Sequence, residues 1–312
     1  MLASPFFAFD FTAAVADVRR DVRVGVLRAG AGEVVGFFPF QVSRTGVGRP
    51  VGGKLSDYHG VVAGRDVAWD PVALLKDCGL RSYTFNHLIG SQAPFRPYFD
   101  SVAPSPVVDL ALGPAGAPSQ VERKRRRLER QGPLRVELRS ASGEVLRALL
   151  RWKSAQYART RTFDAVGVPW VVDVLERLHA MRTDALEGML SCLYSGDELV
   201  AAHFGLRSGR VLHWWFPSYD VAFARDSPGL VMIRVLLDGA AEDGIGLLDF
   251  GKGAEDYKTL FANDAIEVGT GAVVADRFTA WRAAAARAAW GRVLATRLYR
   301  PANHVRKRLD FR

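Results

Sequence analysis

Three strand patterns follow one another without an intervening helix in the second half of the chain. They cover Gly188–Tyr194, Glu198–Arg207 and Arg210–Phe216. The links between them, Ser195-Gly196-Asp197 and Ser208-Gly209, are typical of tight hairpin turns. A helix pattern, Gly229–Glu242, and a further strand pattern, Gly246–Phe250, come next. This succession predicts an α/β (α+β) fold with a mixed, mostly antiparallel sheet flanked by helices.

The first half of the chain repeats this order of elements weakly. A hairpin pattern over Val22–Val42 precedes a loop that contains Ser, Asp and Tyr, then a helix pattern and a short strand. Such an ordered match between two halves indicates a duplicated unit. We therefore predict two tandem domains, at residues 1–118 and 119–275, and a C-terminal tail at residues 276–312.

The basic charge of the chain is concentrated in the predicted tail. The net charge is +9, and residues 276–312 contain ten Arg or Lys and two Asp, a balance of +8. Because a nucleic-acid-binding domain would carry basic charge on the fold itself, we predict no DNA partner. The tail is a candidate for peripheral contact with anionic lipid headgroups or an acidic partner; a solvated, partly docked terminal helix is the alternative.

Hydrophobic and cysteine patterns indicate the cellular compartment. No apolar run is long enough for a membrane span, and the start lacks the basic and apolar regions of a signal peptide. The two cysteines lie alone in apolar stretches, which predicts neither a disulfide framework nor a metal site. We expect a cytoplasmic protein, peripheral at most to the inner membrane face, although whether Met1 is the natural start stays open.

A highly charged helix pattern, Val121–Gln131, lies between the two predicted domains. It contains six basic residues and two Glu. A solvated surface helix is one interpretation. A helix that faces a phosphate or an anionic substrate is the other.

Motifs in the second half resemble a known family. They are Trp214–Asp220, Ser227–Leu230, Leu248–Gly253 and Tyr257-Lys258. Their order and spacing resemble the GNAT-related acetyltransferases of the CelD/BcsL type, known from bacterial cellulose biosynthesis. That type is in turn similar to the Fem-type transferases of peptidoglycan cross-bridges. The resemblance implies tandem GNAT-like folds, an acyl-CoA (acetyl-CoA or another) or other activated acyl donor, and transfer to an amine or hydroxyl without a metal.

The start of the helix pattern at Gly229 is the candidate site for the donor's phosphates. Pro228 suits a first helical position, and Ser227 could cap free amides. A helix N-terminus attracts anions, and Gly229 allows close approach of a ligand to the backbone. The motif of ordinary GNAT enzymes has more glycines than the segment here, which leaves coenzyme A itself open as the donor. The candidate donor contacts are Ser227, Pro228, Gly229, Leu230, Trp215 and Phe216, the last two from the strand that should border the acyl arm.

Three residues are candidates for proton transfer. The resemblance implies that Tyr257, on the helix after the fifth strand, protonates the departing thiolate. Asp249 ends an apolar strand where a ligand crevice is expected, so it is a candidate base or, equally, a residue that fixes the following turn. His203 has the side chain best suited to proton transfer near neutral pH, although a strand histidine is more often structural.

Polar residues in loops are candidates for contacts with the acceptor substrate. Tyr219 and Asp220 follow the third strand of the meander, in a predicted loop. Lys258 could hold a phosphate or carboxylate, or could pair with Asp249 or Glu255. In the first half, Asp57 and Tyr58 occupy the corresponding loop.

Three hypotheses of function remain open from the sequence. The first is acyl transfer from acyl-CoA to a sugar or an envelope-polysaccharide precursor. The second is a Fem-like transfer of an amino acid from charged tRNA to a peptidoglycan precursor. The third is a scaffold of a polysaccharide synthase without catalysis.

Overall fold

The computed structural model of the chain describes residues 4–30, 32–113, 119–253 and 255–275. The predicted link Gly113–Pro118 lies largely, and the predicted basic tail entirely, outside these residues. In the described ranges, no helix combines the length and the apolar character that crossing a bilayer requires.

The chain forms two compact units. In the described ranges, unit 1 comprises residues 15–103 and the segment from Glu267, and unit 2 comprises residues 4–14 and 104–266. Both units are therefore discontinuous in sequence. The predicted domain bounds at 118 and 275 stay a sequence-level prediction.

Unit 1 is built on a mostly antiparallel sheet with the strand order β1-β2-β3-β5-β12, and β4 pairs with β2. The strands are β1 Val22–Arg28, β2 Val34–Val42, β3 Val47–Arg49, β4 Val62–Ala63, β5 Ser82–Ile89 and β12 Asp264–Val274. Helix α2, Pro71–Asp77, begins where Asp70 accepts a hydrogen bond from the amide of Ala73 and Pro71 fits the first turn. The sheet and α2 enclose an aromatic-rich core that includes Phe38, Tyr83 and Phe95.

Unit 2 contains the meander that the sequence predicted. Its strand order is β6-β11-β10-β9-β8-β7. The strands are β6 Phe99–Asp109, β7 Leu134–Glu137, β8 Glu187–Ser195, β9 Glu198–Ser208, β10 Val211–Tyr219 and β11 Leu247–Asp249. All neighbouring pairs are antiparallel except β10 and β11, which are parallel.

Helices flank the sheet of unit 2. They are α3 Ser119–Glu129, α4 Gly143–Thr160, α5 Pro169–Ala180, α6 Pro228–Gly239 and α7 Asp256–Phe261; α1, Phe9–Ala16, lies near the N-terminus. Apolar residues recur on one face of α6, including Met232 and Leu236, and pack with Trp214 and Leu248 into the core of the unit. The core therefore lies between α6 and the central strands.

The predicted fold class is confirmed: both units are mixed α/β structures with mostly antiparallel sheets. Two local predictions were wrong. The glycine-rich segment Gly46–Gly53 predicts a loop, but Val47–Arg49 within it form the short strand β3, which pairs with β2 and β5. Strand β10 continues through Pro217 to Tyr219, where a loop was predicted.

Candidate active site

Strands β10 and β11 separate soon after they meet. Their parallel pairing covers three residue pairs, from Val211↔Leu247 to His213↔Asp249. Beyond His213, β10 continues for six residues and stays paired with β9 on its other edge. The carboxyl-terminal ends of adjacent parallel strands border ligand crevices in α/β folds. The uncovered edge of β10 is therefore the candidate position for an extended ligand.

A β-bulge interrupts β10 at the point of separation. The pairing with β9 shifts between His213 and Phe216, so that Trp214 and Trp215 lie outside the regular register. The amide of Trp215 donates to Nε2 of His203, at 3.2 Å, instead of to a strand carbonyl. The bulge thus changes the direction of the backbone beside the separation.

The N-terminus of α6 lies beside the end of β10. A Cβ atom built on Gly229 would meet only the ring of Tyr219 within 4 Å, at 3.8 Å. Pro228 is buried and occupies the first turn, while Leu230 packs on the core. The backbone at Gly229 is therefore open to a ligand.

The prediction that Ser227 caps α6 was wrong. Ser227 has a left-handed backbone, with φ 45°, and its side chain makes no capping hydrogen bond. Its Oγ instead accepts a hydrogen bond from Nζ of Lys124 on α3. The amides of Leu230 and Val231 donate to the carbonyl of Ser227, at 2.9 and 3.3 Å, so Gly229 supplies the first-turn amide that keeps its capacity to bind an anion.

Helix α3, the charged helix of the sequence, packs against the segment before α6. Arg127 and Gln131 both contact the carboxylate of Asp226, at 2.8 and 2.9 Å. Lys124 contacts Ser227 at the start of α6. Basic side chains of α3 therefore adjoin an uncapped helix N-terminus.

Helix α7 carries Tyr257 and Lys258. Tyr257 is half-buried and contacts Phe250 edge to face, with ring centroids 6.0 Å apart. Lys258 is buried, and its Nζ approaches the carbonyls of Gly251 and Lys252 and the carboxylate of Glu255 at 2.9–3.2 Å. Three acceptors use the three donors of a lysine ammonium, so Lys258 holds the turn before α7.

Asp249 is buried at the end of β11. Its Oδ1 accepts a hydrogen bond from the amide of Gly251 at 2.8 Å and one from Ser105 at 3.4 Å. Its Oδ2 lies 3.5 Å from Nδ1 of His213. These contacts match the interpretation in which Asp249 fixes the turn, and its role as a base stays a prediction.

His203 is fully buried and stacks on Trp214, with ring centroids 3.8 Å apart. Burial lowers the pKa of His203 well below its usual value, and the neighbouring His213 lowers it further. The hydrogen bond from the amide of Trp215 requires an unprotonated Nε2. His203 is therefore a neutral histidine that holds the bulge, and its catalytic role stays a prediction.

The remaining predicted residues of unit 2 lie near the end of β10. Trp215 contacts the rings of Phe6 and Phe11, whereas Phe216 is buried. Tyr219 packs on the same core cluster as Leu230 and Tyr257. Asp220 accepts a hydrogen bond from the amide of Ala222 and so caps a short 3-10 helix.

Asp57 and Tyr58 lie in a loop of unit 1. Oδ1 of Asp57 lies 3.5 Å from Nε2 of His87, and Tyr58 is buried. His59, the next residue, is also buried and binds the carbonyl of Ser56. These residues form a polar cluster of unit 1, and their contact with a substrate stays a prediction.

Sequence reasoning missed Lys153 on α4. Its Nζ donates to the carbonyl of Pro217 at 3.0 Å, on the part of β10 that β11 does not cover. Burial lowers the pKa of Lys153 to about 8; the charge of Lys258 lowers it too, and Glu255 raises it. A signal was present, because Lys153 continues the apolar positions Leu146 and Leu149 of the helix at intervals of three and four residues.

The described residues include no cluster of three or more His, Cys, Asp or Glu side chains with the geometry of a metal site. The groups of the candidate site are the backbone amide of Gly229, Tyr257, the aromatic side chains of β10, and the buried Lys153 and Lys258.

Comparison with protein families gives a match to part of the second half. Residues 117–259 match the family model of the acetyltransferase (GNAT) domain. The match spans α3 to α7 and so contains β10, the start of α6, and Tyr257. A comparison with curated protein sequences gave no match.

Solved structures with a similar fold cover most of the chain. The C-terminal domain of a putative lysylphosphatidylglycerol synthetase from Agrobacterium fabrum is 12% identical with a TM-score of 0.57, over 88% of this chain and 94% of that one. L-PGS from Bacillus licheniformis is 13% identical with a TM-score of 0.53, over 86% of this chain and 88% of that one. FemX is 9% identical with a TM-score of 0.54, over 87% of this chain and 96% of that one. At these identities the likeness shows the fold, and the predicted GNAT-like architecture is confirmed.

Proposed function

We propose that this protein transfers an acyl group from acyl-CoA to an amine or hydroxyl of a sugar or a cell-envelope polysaccharide precursor. The observation that carries the proposal is the separation of β10 from β11 beside the uncapped start of α6. The match of residues 117–259 to an acetyltransferase (GNAT) domain supports an acyl donor at this position.

The anionic end of the donor would bind at the start of α6. The amide of Gly229 supplies a hydrogen-bond donor at the positive end of the helix dipole, and the backbone there is accessible. Lys124 would add a positive charge next to Ser227. The acyl arm would then lie along the uncovered edge of β10 toward Trp215.

The reaction needs a nucleophile, an oxyanion contact and a proton for the leaving group. The acceptor nitrogen or oxygen attacks the thioester carbonyl, and the C–S bond breaks when the tetrahedral intermediate collapses. Tyr257, half-buried on α7, is the proposed donor of a proton to the thiolate. No step of this reaction requires a metal.

The acceptor class rests on the resemblance to acetyltransferases of the CelD/BcsL type. Sugar and polysaccharide precursors are made at the cytoplasmic face of the envelope, which agrees with a cytoplasmic protein held close to that face. The basic tail, with its balance of +8, would supply the contact with anionic lipids or an acidic partner.

Calorimetric titration of the full chain with acetyl-CoA tests the donor. We expect binding, together with release of free CoA thiol when amino sugars are supplied as acceptors. A chain that shows neither heat nor a thermal shift at millimolar acetyl-CoA would contradict the proposal. Tyr257→Phe should keep the affinity for acetyl-CoA and lower the rate of thiol release.

A second candidate is transfer of an aminoacyl group from a charged tRNA. The similar folds of FemX and of the lysylphosphatidylglycerol synthetase domain favour it over a scaffold without catalysis. The basic residues of α3 and the tail would then contact RNA. Transfer of a labelled amino acid from charged tRNA to a peptidoglycan or lipid acceptor, without any response to acetyl-CoA, would support this candidate and exclude the first.

A further inference from the structure

Two lysines are buried in the described part of unit 2, and they differ in how many hydrogen bonds they make. Lys258 contacts three acceptors, all within α7 and the turn before it. Lys153 donates one hydrogen bond, to the carbonyl of Pro217. Because a lysine carries two or three N–H groups, Lys153 keeps hydrogen-bonding capacity that the described residues do not use.

Lys153 lies where the acyl arm is expected. Pro217 is four residues beyond the last pair of β10 and β11, on the uncovered edge of β10. Lys153 is buried, with 9% of the residue exposed, so its amine is largely shielded from bulk solvent. Its Nζ also lies over the Tyr157 ring, 5.5 Å from the ring centre, so this ring covers one side of the amine.

The groups around Lys153 favour a neutral amine near physiological pH. Burial is the largest cause of its lowered pKa, and the positive charge of Lys258 acts in the same direction. Glu255 opposes them but is exposed, and its carboxylate contacts Lys258. His203, on β9, is itself neutral, and Asp164, which faces α4, is bonded to Ser154.

We propose that Lys153 is the catalytic base that accepts the proton of the acceptor nucleophile. The inference rests on the proposed acyl transfer and adds a residue to it. The lone pair of the acceptor nitrogen or oxygen forms the new bond to the thioester carbon, and its proton passes to the neutral amine of Lys153. The C–S electrons leave with the thiolate, which takes a proton from Tyr257; Lys153 returns its proton to Tyr257 through solvent.

Two other proton acceptors near β10 already hold the backbone. Nε2 of His203 accepts the amide of Trp215, and Asp249 accepts the amide of Gly251. A lysine whose pKa is brought close to neutrality by burial is a recognised general base. Both the position of Lys153 and the lowered pKa of its amine therefore suit the role of a general base.

The test compares Lys153→Met and Lys153→Arg with wild type in CoA-thiol release from acetyl-CoA, with glucosamine or water as acceptor. Arginine keeps the positive charge but does not give up its proton. We expect both variants to lose about 10²–10⁴-fold in kcat/KM with little change in acetyl-CoA affinity. Wild-type kcat/KM should rise with pH through about 8, and the variants should lack this rise. Arg151→Met, an exposed position on the same helix, is the matched control and should behave as wild type.

An independent readout follows the charge of Lys153 through stability. Its pKa is about 8 in the folded chain and 10.5 in the unfolded one. The folded state therefore binds fewer protons between these values, and wild type should become more stable relative to Lys153→Met as pH rises through this window. A constant difference in urea midpoint between pH 7 and 10.5 would show that Lys153 does not titrate there, and would overturn the proposal.

The outcomes separate this inference from the proposed function. If wild type releases no CoA thiol under any condition, the proposed acyl transfer fails, and the role of Lys153 fails with it. If wild type is active and Lys153→Arg retains activity within tenfold, only the assignment of Lys153 as base is overturned. A wild-type rate that falls above pH 8 would likewise contradict a neutral base and indicate a cationic role.

Discussion

Buried polar side chains near β10 divide into those that hold the backbone and those with unused hydrogen-bonding capacity. Asp249, His203 and Lys258 all bind backbone atoms of the segments that shape the site. Lys153 has capacity left. The first three residues therefore support the site, whereas Lys153 is the one proposed to meet a substrate. In the sequence all four look alike, as polar residues within apolar patterns.

Asp249 offers a test of this distinction. Asp249→Ala removes the acceptor of the buried Gly251 amide, which should lower the free energy of unfolding by about 1–3 kcal/mol. Asp249→Asn keeps a carbonyl oxygen for that amide and should cost less. Urea unfolding of both variants, with activity measured alongside, checks the prediction. If Asp249→Asn were as stable as wild type but more than a hundredfold less active, Asp249 would be a base rather than a support for the turn.

At the scale of elements, periodicity and turn residues predicted most helices and strands because these features are local. The pattern at Gly229–Glu242 corresponds to α6 at Pro228–Gly239, whose buried apolar residues recur at helical spacing. The meander and its two hairpins also agree with the structure.

The sequence did not predict features that depend on pairing between distant segments. Pro217 indicated a loop, but a proline fits the uncovered edge of β10 because no neighbouring strand there needs its missing amide. The bulge at Trp214 and Trp215 depends on His203, eleven residues before Trp214. The contact of Lys124 with Ser227 also joins distant segments, so the sequence could propose candidate residues but could not predict their contacts.

The packing of α5 on β8 depends on a glycine. A Cβ atom on Gly188 would lie 1.9 Å from the carbonyl oxygen of Leu178, a backbone atom at the end of α5. Gly188→Ala should therefore displace α5 and destabilise unit 2 by about 1–3 kcal/mol or more. Gly239→Ala, where a Cβ meets nothing within 4 Å, is the matched control and should be neutral or slightly stabilising. Equal urea midpoints for the two variants would contradict this packing.

The contact between α3 and α6 predicts a role for Lys124 in donor binding. Lys124→Gln removes a positive charge beside Ser227 and should weaken acetyl-CoA binding roughly tenfold, or about 1.4 kcal/mol. Arg126→Gln, an exposed position on the same helix, should change the affinity little. Titration calorimetry at low and high salt checks both, since the effect of Lys124 should shrink with salt. If both variants lost the same acetyl-CoA affinity, the effect would come from the overall positive charge of α3 and not from Lys124 in particular.

At the scale of the whole molecule, each compact unit has its own core, and the residues that match the acetyltransferase (GNAT) domain all lie in unit 2. The elements of the candidate donor site, β10, β11, α6 and α7, all belong to that unit. Unit 1 contributes a separate polar cluster around Asp57 and His87. The proposed donor chemistry therefore depends on unit 2.

The central claim is that the start of α6 binds the anionic end of an acyl carrier whose reactive carbonyl lies near Tyr257. A crystal structure of the full chain with coenzyme A tests it most directly. The account predicts a phosphate oxygen at the amide of Gly229, and a pantetheine arm along β10 that ends between Tyr257 and Lys153. Coenzyme A bound elsewhere, or an α6 N-terminus covered by side chains with no path to Tyr257, would contradict it.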